Sequence, residues 1–215
     1  MIEVITRTSP IPPHGITFYQ DKEANAEYRR IIGGLAWPGV KPGFAVVVGE
    51  DLEEDTELKV HHMRVLAEAE EFDIGDLFSR CLTLRGEWKV GRWYGDPYNR
   101  PLMEIFRQLN KPLFERKEPR LYPVQAPHVD DPKSFEFCIQ MIKKHLHPSR
   151  KALHFGESRI KSYLAEFPME EFTSAGASDY PAIAALGYAV SALSIYPPRQ
   201  EILARLKRQN VYIPR

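Results

Sequence analysis

The apolar positions change from a strand-like to a helix-like spacing along the chain. Alternating or short continuous apolar stretches predict strands at 29–37, 44–50 and 57–70. Proline and glycine at 38–43 supply a turn between the first two strands. The beginning of the chain therefore predicts strands that follow one another in a meander.

Strands and helices alternate after this meander. A helix is predicted over 73–86, because Asp73 can cap its start and Gly86 can end it. A second helix begins after a cap at Asn99. This order predicts an α/β fold with a mixed sheet and helices on its faces. Further strands are expected at 87–95 and 119–127, and further helices at 130–147, 156–167 and 178–193.

Length and composition favour one domain with short appendages. The chain has 215 residues, 43% of them apolar, which is enough to bury a sizeable core. Residues 1–28 are rich in proline and polar groups and predict an extended lead-in. The domain is expected over 29–196 and a basic helical tail over 197–215.

Charge and cysteine usage narrow the class of protein. The formal net charge is zero, which does not indicate a uniformly basic polyanion binder but allows local basic clusters. The two cysteines, Cys81 and Cys138, lie within predicted amphipathic helices and are expected to be buried thiols. The chain has no signal-peptide pattern and no apolar stretch of about 18 residues. We therefore expect a cytoplasmic protein without membrane contact.

Two aspartates stand at positions where ligands bind in sheet proteins. Asp96 ends the fourth predicted strand, and ligands collect outside the carboxyl ends of parallel strands. An aspartate between glycine and proline is equally typical of a turn. Asp179 precedes Pro181 at the start of the last helix, where a helix cap explains it without any function. Phosphate-loop, dinucleotide-binding and metalloprotease motifs are absent.

Four local sequences match the pattern of a known family: YRRIIGGLAWPG at 28–39, FAVVVGE at 44–50, WYGDPY at 93–98 and SDYPAIAALGYAV at 178–190. They resemble the nuclease domain of the viral large terminase subunit, the DNA-packaging motor protein. The resemblance implies an RNase H-like mixed sheet of about five or more strands with helices on both faces. It also implies two-metal DNA cleavage with Mg²⁺ or Mn²⁺, ions that prefer oxygen ligands.

The resemblance makes Asp96 and Asp179 the catalytic residues and metal ligands. The family's acid on the first strand falls on Ala36, which cannot bind a metal. The third predicted strand returns parallel to the first, so acids at its end emerge at the same edge and are candidate replacements. Acids flanking a helix start are also typical of a solvated cap. The candidates are Glu70, Glu71, Asp73 and Asp76.

Three functions remain open at this point. One is a terminase-type, metal-dependent DNA endonuclease of phage DNA packaging, and another is a catalytically inactive module that binds DNA or packaging partners. In the third, an unrelated α/β protein uses both aspartates as caps. The expected partner is double-stranded DNA, with a terminase ATPase domain or a portal protein as further candidates. Candidate DNA contacts, which are also typical of solvated helix faces, are Arg92, Arg100, Lys143, Lys144, Arg150 and Lys151.

Overall fold

The computed structural model describes residues 2–7, 16–58, 60–96, 99–125, 134–167 and 179–195. The predicted tail at 197–215 lies outside the described residues. The strands are β1 Ile2–Arg7, β2 Ile16–Asp21, β3 Ala26–Ala36, β4 Gly43–Asp55, β5 Val60–Glu71, β6 Trp93–Gly95, β7 Pro123–Gln125 and β8 Leu153–Phe155. The helices are α1 Ile74–Trp88, α2 Arg100–Leu109, α3 Lys111–Glu115, α4 Ser134–Leu146, α5 Ile160–Glu166 and α6 Pro181–Ile195.

The described strands form one mixed sheet. Strands β3, β4 and β5 make an antiparallel meander, while β6 runs parallel to β3, β7 parallel to β6 and β8 parallel to β5. The order across the sheet is β8-β5-β4-β3-β6-β7, and the β1-β2 hairpin pairs with the first residues of β3. Strands β3, β5, β6, β7 and β8 therefore all point the same way. We call the edge where they end the carboxyl edge and the edge where they begin the amino edge.

Alternate residues of the central strands enter two separate cores. Val46 and Val48 of β4 pack beneath α4, α5 and α6, whereas Ala45 and Val47 pack beneath α1, α2 and α3. This alternation follows from the two-residue period of a strand. The prediction of an α/β fold with helices on both faces of a mixed sheet is confirmed.

Helix α6 is the most deeply buried element that the structure describes. Every residue from Pro181 to Leu193 is buried. A Cβ atom on Gly34 would lie 1.9 Å from the carbonyl oxygen of Ala185, so only glycine allows α6 to approach β3 this closely. This packing places the start of α6 at the carboxyl edge, beside the ends of β3 and β5.

The first strands correct the predicted extended lead-in. Within 1–28, residues Ile2–Arg7 and Ile16–Asp21 form a regular hairpin, which runs from the pair Ile2 and Asp21 to the pair Arg7 and Ile16. The prolines that argued against regular structure, at positions 10, 12 and 13, lie outside the described residues. These two strands were not predicted, because their stretches of alternating apolar and polar residues are short and this proline segment interrupts them.

Two predicted boundaries were also wrong. Helix α1 continues past Gly86 to Trp88, and Lys89 takes the left-handed conformation there, with φ of 55°. The fourth strand is consequently only Trp93–Gly95 instead of 87–95. Helix α3 and strand β8 were not predicted. None of the described helices is both long and apolar enough to span a bilayer.

Candidate functional site

The carboxyl edge brings together the residues at the ends of three strands. Ala36 of β3 pairs with Phe44, and Phe44 pairs with Glu70 of β5. Asp96 directly follows β6, whose last residue pairs with the residue before Ala36. Paired residues of neighbouring strands lie on the same face of a sheet. Glu70, Phe44, Ala36 and Asp96 therefore form one row, in which Phe44 and Ala36 occupy the two middle positions and the alanine lies beside Asp96.

Asp96 is held beside β3 and faces α6. Its backbone carbonyl accepts a hydrogen bond of 2.7 Å from the indole Nε1 of Trp37. Burial raises the pKa of the Tyr188 phenol, and the charges of Cys138 and Asp96 add to this rise. Tyr188 lies in the middle of α6, so the carboxylate of Asp96 acts on the middle turns of that helix.

Asp179 lies at the other predicted position, just before the first turn of α6. It is exposed and lines a cavity of about 230 Å³, together with Glu70 of β5 and Glu166 of α5. The ammonium of Lys41 lies over the ring of Tyr180, 4.9 Å from its centre, in the wall of the same cavity. Asp96, in contrast, is not one of the residues that line this cavity. The assignment of both aspartates as catalytic metal ligands stays a prediction.

The acids at the end of β5 are bound by α5. The guanidinium of Arg159 donates to Glu70 at 2.9 Å and to Glu68 at 3.2 Å. The hydroxyl of Tyr163 donates to the second oxygen of Glu70 at 2.8 Å. Burial raises the pKa of Tyr163, and this hydrogen bond raises it further. Glu70, which shares the row with Ala36, is thus engaged by two side chains of this chain.

The other candidate replacement acids make contacts on the α1 side of the sheet. Glu71 follows Glu70 along the strand and therefore points to the opposite face. Arg80 donates to Glu71 at 3.2 Å. The carboxylate of Asp73 accepts from two backbone amides of the first turn of α1, one of them that of Asp76 at 3.0 Å. The prediction that Asp73 caps this helix is confirmed.

The described residues do not fit a two-metal centre. Such a centre needs several oxygen ligands close together. Ala36 offers no ligand at its middle position in the row, and Glu70 is already bound by Arg159 and Tyr163. Across the described ranges, no three aspartate, glutamate, histidine or cysteine side chains are grouped closely enough to hold a metal ion.

Predicted DNA contacts gather at the amino edge, where α4 ends. Lys143, Lys144 and Arg150 line a cavity of about 610 Å³ between this helix end and the β4-β5 turn, with Glu57 on the other wall. Lys151 follows in the left-handed conformation, with φ of 43°. We call this cavity the α4 groove. Cations at a helix C-terminus also interact favourably with the helix dipole.

Positive charges of the α4 groove act on a buried histidine, His145. His145 Nε2 hydrogen-bonds to Ser194 Oγ at 2.9 Å, and its Nδ1 has no hydrogen-bond partner among the described residues. Burial lowers the pKa of His145 to about 4, and the charges of Arg150 and Lys144 add to the effect. The histidine is therefore neutral at pH 7.

Arg92 and Arg100 are separated by strand β6. Arg100 begins α2, four residues after Asp96, on the carboxyl side. Arg92 precedes β6 at the amino edge. It lines a second basic cavity with residues that the sequence did not single out. We call this cavity, of about 370 Å³, the β6 groove; its cationic lining residues are Arg85, Lys89, Arg92 and Arg120.

The comparisons with known proteins find structural similarity only. No family model and no curated protein matches the chain. One similar solved structure is the nuclease domain of g2p, the large terminase of bacteriophage SPP1, with bound Mn; the identity is 13%, the alignment covers 74% of this chain and 84% of that chain, and the TM-score is 0.45. Another is Thermus thermophilus RuvC, with 13% identity, coverage of 75% and 95%, and a TM-score of 0.37.

This likeness says nothing about the residues of the site. The meander β3-β4-β5, the parallel strands β6 and β7 beside β3, and the helices on both faces form a mixed α/β sheet, as the sequence predicts.

Proposed function

We propose that this chain is an RNase H-like module that binds double-stranded DNA at its amino edge without cutting it. The observation that carries the proposal is the α4 groove, where Lys144 and Arg150 line one open cavity at the end of a helix. Nucleic acid phosphates are bound mainly by such lysine and arginine side chains.

The energetics of a neighbouring residue support the groove as an anion site. The charges of Arg150 and Lys144 oppose protonation of His145, which lies behind them. A positive potential strong enough to act on a buried histidine also attracts phosphate from solution. The net charge of the whole chain is zero, so binding depends on this local cluster and should be sensitive to salt.

The carboxyl edge supports the second half of the proposal, the lack of cleavage. Ala36 occupies a middle position of the row that ends in Asp96, and a methyl group cannot hold Mg²⁺ or Mn²⁺. Glu70, at the other end of the row from Asp96, is paired with Arg159 at 2.9 Å. Two positions of the row, Ala36 and Glu70, are thus apolar or already paired.

A metal-dependent endonuclease is the second candidate function. Asp96 at the exit of β6 and Asp179 before α6 favour it, because both lie at the carboxyl edge where ligands bind in such sheets. Mg²⁺ or Mn²⁺ would then be the cofactor. The terminase ATPase domain and the portal protein stay predicted partners of a packaging role.

Fluorescence anisotropy with a labelled duplex of about 20 base pairs tests the binding half. The double variant Lys144→Gln/Arg150→Gln should bind more weakly than the unmodified chain at each salt concentration. A matched double variant, Lys111→Gln/Lys161→Gln, removes two exposed cations of α3 and α5 and should bind like the unmodified chain. Equal binding by all three proteins would refute the α4 groove as a DNA site.

Nicking of supercoiled plasmid in the presence of Mn²⁺ tests the second half. We expect no nicking above the level seen with metal alone. The control is Asp96→Ala, purified in parallel to account for contaminating nucleases. Nicking by the unmodified chain that disappears in Asp96→Ala would reject the non-cutting module and establish the endonuclease.

A further inference from the structure

The β6 groove lies at the amino edge, away from both aspartates. It is bounded by the end of α1, by the segment 89–92 that leads into β6 and by the segment 119–122 that leads into β7. These segments precede parallel strands, so they meet at the edge opposite Ala36 and Asp96. The groove therefore belongs to a different surface from the carboxyl edge.

The lining of this groove is strongly basic. Of the described residues that line it, Arg85, Lys89, Arg92 and Arg120 are cationic and none is acidic. The fields of these four like charges add in one concave site, which raises the local positive potential. The charges also repel one another in this partly desolvated space. The site is therefore unfavourable when empty and favourable for an anion.

Backbone and ring contacts, not carboxylates, hold three of these four cations in place. Arg85 donates to the carbonyl of Pro119 at 2.7 Å, and Lys89 donates to the carbonyl of Gly86 at 2.7 Å. The guanidinium of Arg120 lies 4.5 Å from the centre of the Phe114 ring. Such contacts fix the side chains in position without neutralising their charge.

Nearby carboxylates do not cancel the charge of the groove. Glu118, the acid that acts electrostatically on Arg85, forms its ion pair with Arg116 at 2.9 Å. Among the described residues, Arg92 and Arg120 form no ion pair. Arg29 and Arg30, by comparison, both bind the buried carboxylate of Glu50. The arginines of the β6 groove thus differ from the structural arginines of the same protein.

One residue that lines the groove carries a buried donor without a partner among the described residues, a second and independent indication of a ligand. Trp93 lines the groove and is 3% exposed, and its indole Nε1 has no hydrogen-bond partner among the described residues. Buried donors are nearly always paired in proteins, with protein, water or a ligand. A phosphate oxygen entering the groove is an acceptor of the required chemistry.

We propose that the β6 groove binds phosphate groups of a nucleic acid backbone and forms a second DNA contact beside the α4 groove. The proposal rests on the proposed DNA-binding function. Both grooves lie at the amino edge, one where β5 and β8 begin and the other where β6 and β7 begin. The proposal places a duplex along this edge, with the α4 groove on the α4 face of the sheet and the β6 groove on the α1 face.

The decisive variant is Arg92→Gln/Arg120→Gln, assayed by anisotropy with the same labelled duplex over a range of salt concentrations. Each lost phosphate contact reduces the magnitude of the slope of log affinity against log salt concentration by about one. This variant should therefore make the plot less steep by about two. The control Lys111→Gln/Lys161→Gln removes the same charge elsewhere and should keep the slope. Thermal melting of each variant identifies any loss of folding.

The α4 and β6 variants separate the possible failures. If only Lys144→Gln/Arg150→Gln weakens binding, the β6 groove is rejected and the proposed function stands. If only Arg92→Gln/Arg120→Gln weakens it, the β6 groove stands and the α4 groove is rejected. If neither variant changes binding, or the unmodified chain does not bind, both are rejected.

The indole N–H signal of Trp93 in a proton-nitrogen NMR spectrum tests directly whether the duplex binds in the groove. The signal is identified by its loss in Trp93→Phe. Titration with the unlabelled duplex should shift this signal in the unmodified chain and leave it unmoved in Arg92→Gln/Arg120→Gln. A signal that stays at its position at saturating duplex would overturn the proposal even if DNA binds elsewhere.

Discussion

The carboxyl and amino edges of the sheet use charge in opposite ways. At the carboxyl edge, Glu68 and Glu70 are paired with Arg159 of α5, and a middle position of the row is Ala36. At the amino edge, Arg92 and Arg120 line a groove without a described acid. Two acids at the edge where such sheets normally bind ligands are thus paired within the chain, while cations at the other edge line an open groove.

The amino edge also contains a buried carboxylate, so the contrast between the two edges does not hold for every charged residue. Glu50 is 3% exposed and accepts from Arg29 at 2.6 Å and from Arg30 at 2.5 Å. Arg30 also donates to the carbonyl of Leu193 at 2.7 Å, which ties the end of α6 to the sheet. These two arginines stabilise the fold, so not every cation at the amino edge serves a ligand.

The largest effect is expected for Glu50→Gln. The variant removes the buried carboxylate that two partly buried arginines bind, and breaking such a buried ion pair typically costs about 3–5 kcal/mol. Urea denaturation measures the loss. The control Asp51→Asn breaks the more exposed pair with Arg64 and should cost less than about 1 kcal/mol. Similar losses in both variants would show that Glu50 is no more important than a surface acid.

The pH dependence of Glu50 has a defined sign. Burial alone would raise its pKa, but the hydrogen bonds from Arg30 and Arg29 outweigh burial and hold the pKa below its ordinary value. The stabilisation is therefore fully present above the unfolded pKa and is lost as the pH falls through the folded one. Glu50→Gln should remove this part of the acid sensitivity.

His145 is expected to produce the next largest effect, as a loss of stability in mild acid. Its pKa is about 4 in the folded state, against about 6.5 when unfolded. The unfolded chain gains a proton first, so stability should fall between these two pH values, by up to about 3 kcal/mol. Denaturation at several pH values measures it. His145→Gln should flatten the curve, and the exposed control His147→Gln should not.

The same histidine reports on the α4 groove. Since Arg150 and Lys144 help to lower the pKa of His145, neutralising them should raise it. An NMR titration of Lys144→Gln/Arg150→Gln should show the higher value, and saturation of the unmodified chain with duplex should shift the pKa in the same direction. An unchanged pKa in the presence of bound duplex would place the DNA away from this groove.

The variant Ala36→Asp tests whether the absence of one carboxylate, at position 36, accounts for the difference between the carboxyl and amino edges. The larger, charged side chain enters a buried site and should lower stability by about 1–3 kcal/mol. We expect excess Mn²⁺ to raise the melting temperature of this variant only, because a carboxylate then stands next to Asp96. The isosteric control Ala36→Asn should be destabilised without a response to Mn²⁺. No response in Ala36→Asp would show that the edge lacks further ligands.

Much of the fold follows from local pattern. The meander, the caps at Asp73 and Asn99, and the apolar helix α6 are visible in the sequence because each depends on neighbouring residues. The hairpin β1-β2 and strand β8 were missed, since short strands gain their stability from pairing with distant ones. Helix α1 was predicted to end at Gly86, but it continues to Trp88, and Lys89 takes the left-handed conformation that ends it.

The site was less predictable than the fold. The sequence pattern placed Asp96 at a strand end. The missing acid at Ala36 was identified only through the resemblance to the terminase nuclease domain. The sequence could not show that Arg159 and Tyr163 engage Glu70, since these residues are far apart in the chain. The β6 groove was missed for the same reason: α1 and the segments before β6 and β7 contribute its cations only after folding.

The smallest expected effect distinguishes a helix cap from a metal ligand at the carboxyl edge. Asp73 was a candidate replacement acid, and its carboxylate accepts from the amides of Gly75 at 2.7 Å and Asp76 at 3.0 Å. Asp73→Ala should lower the free energy of unfolding by about 1 kcal/mol, and Asp73→Ser should restore most of it, because serine caps helices nearly as well. Serine is a poor substitute for a carboxylate at a divalent cation, so rescue by Asp73→Ser separates the two roles. If serine fails to rescue stability, Asp73 contributes more than a cap, and the carboxyl edge is less neutral than its ion pairs indicate.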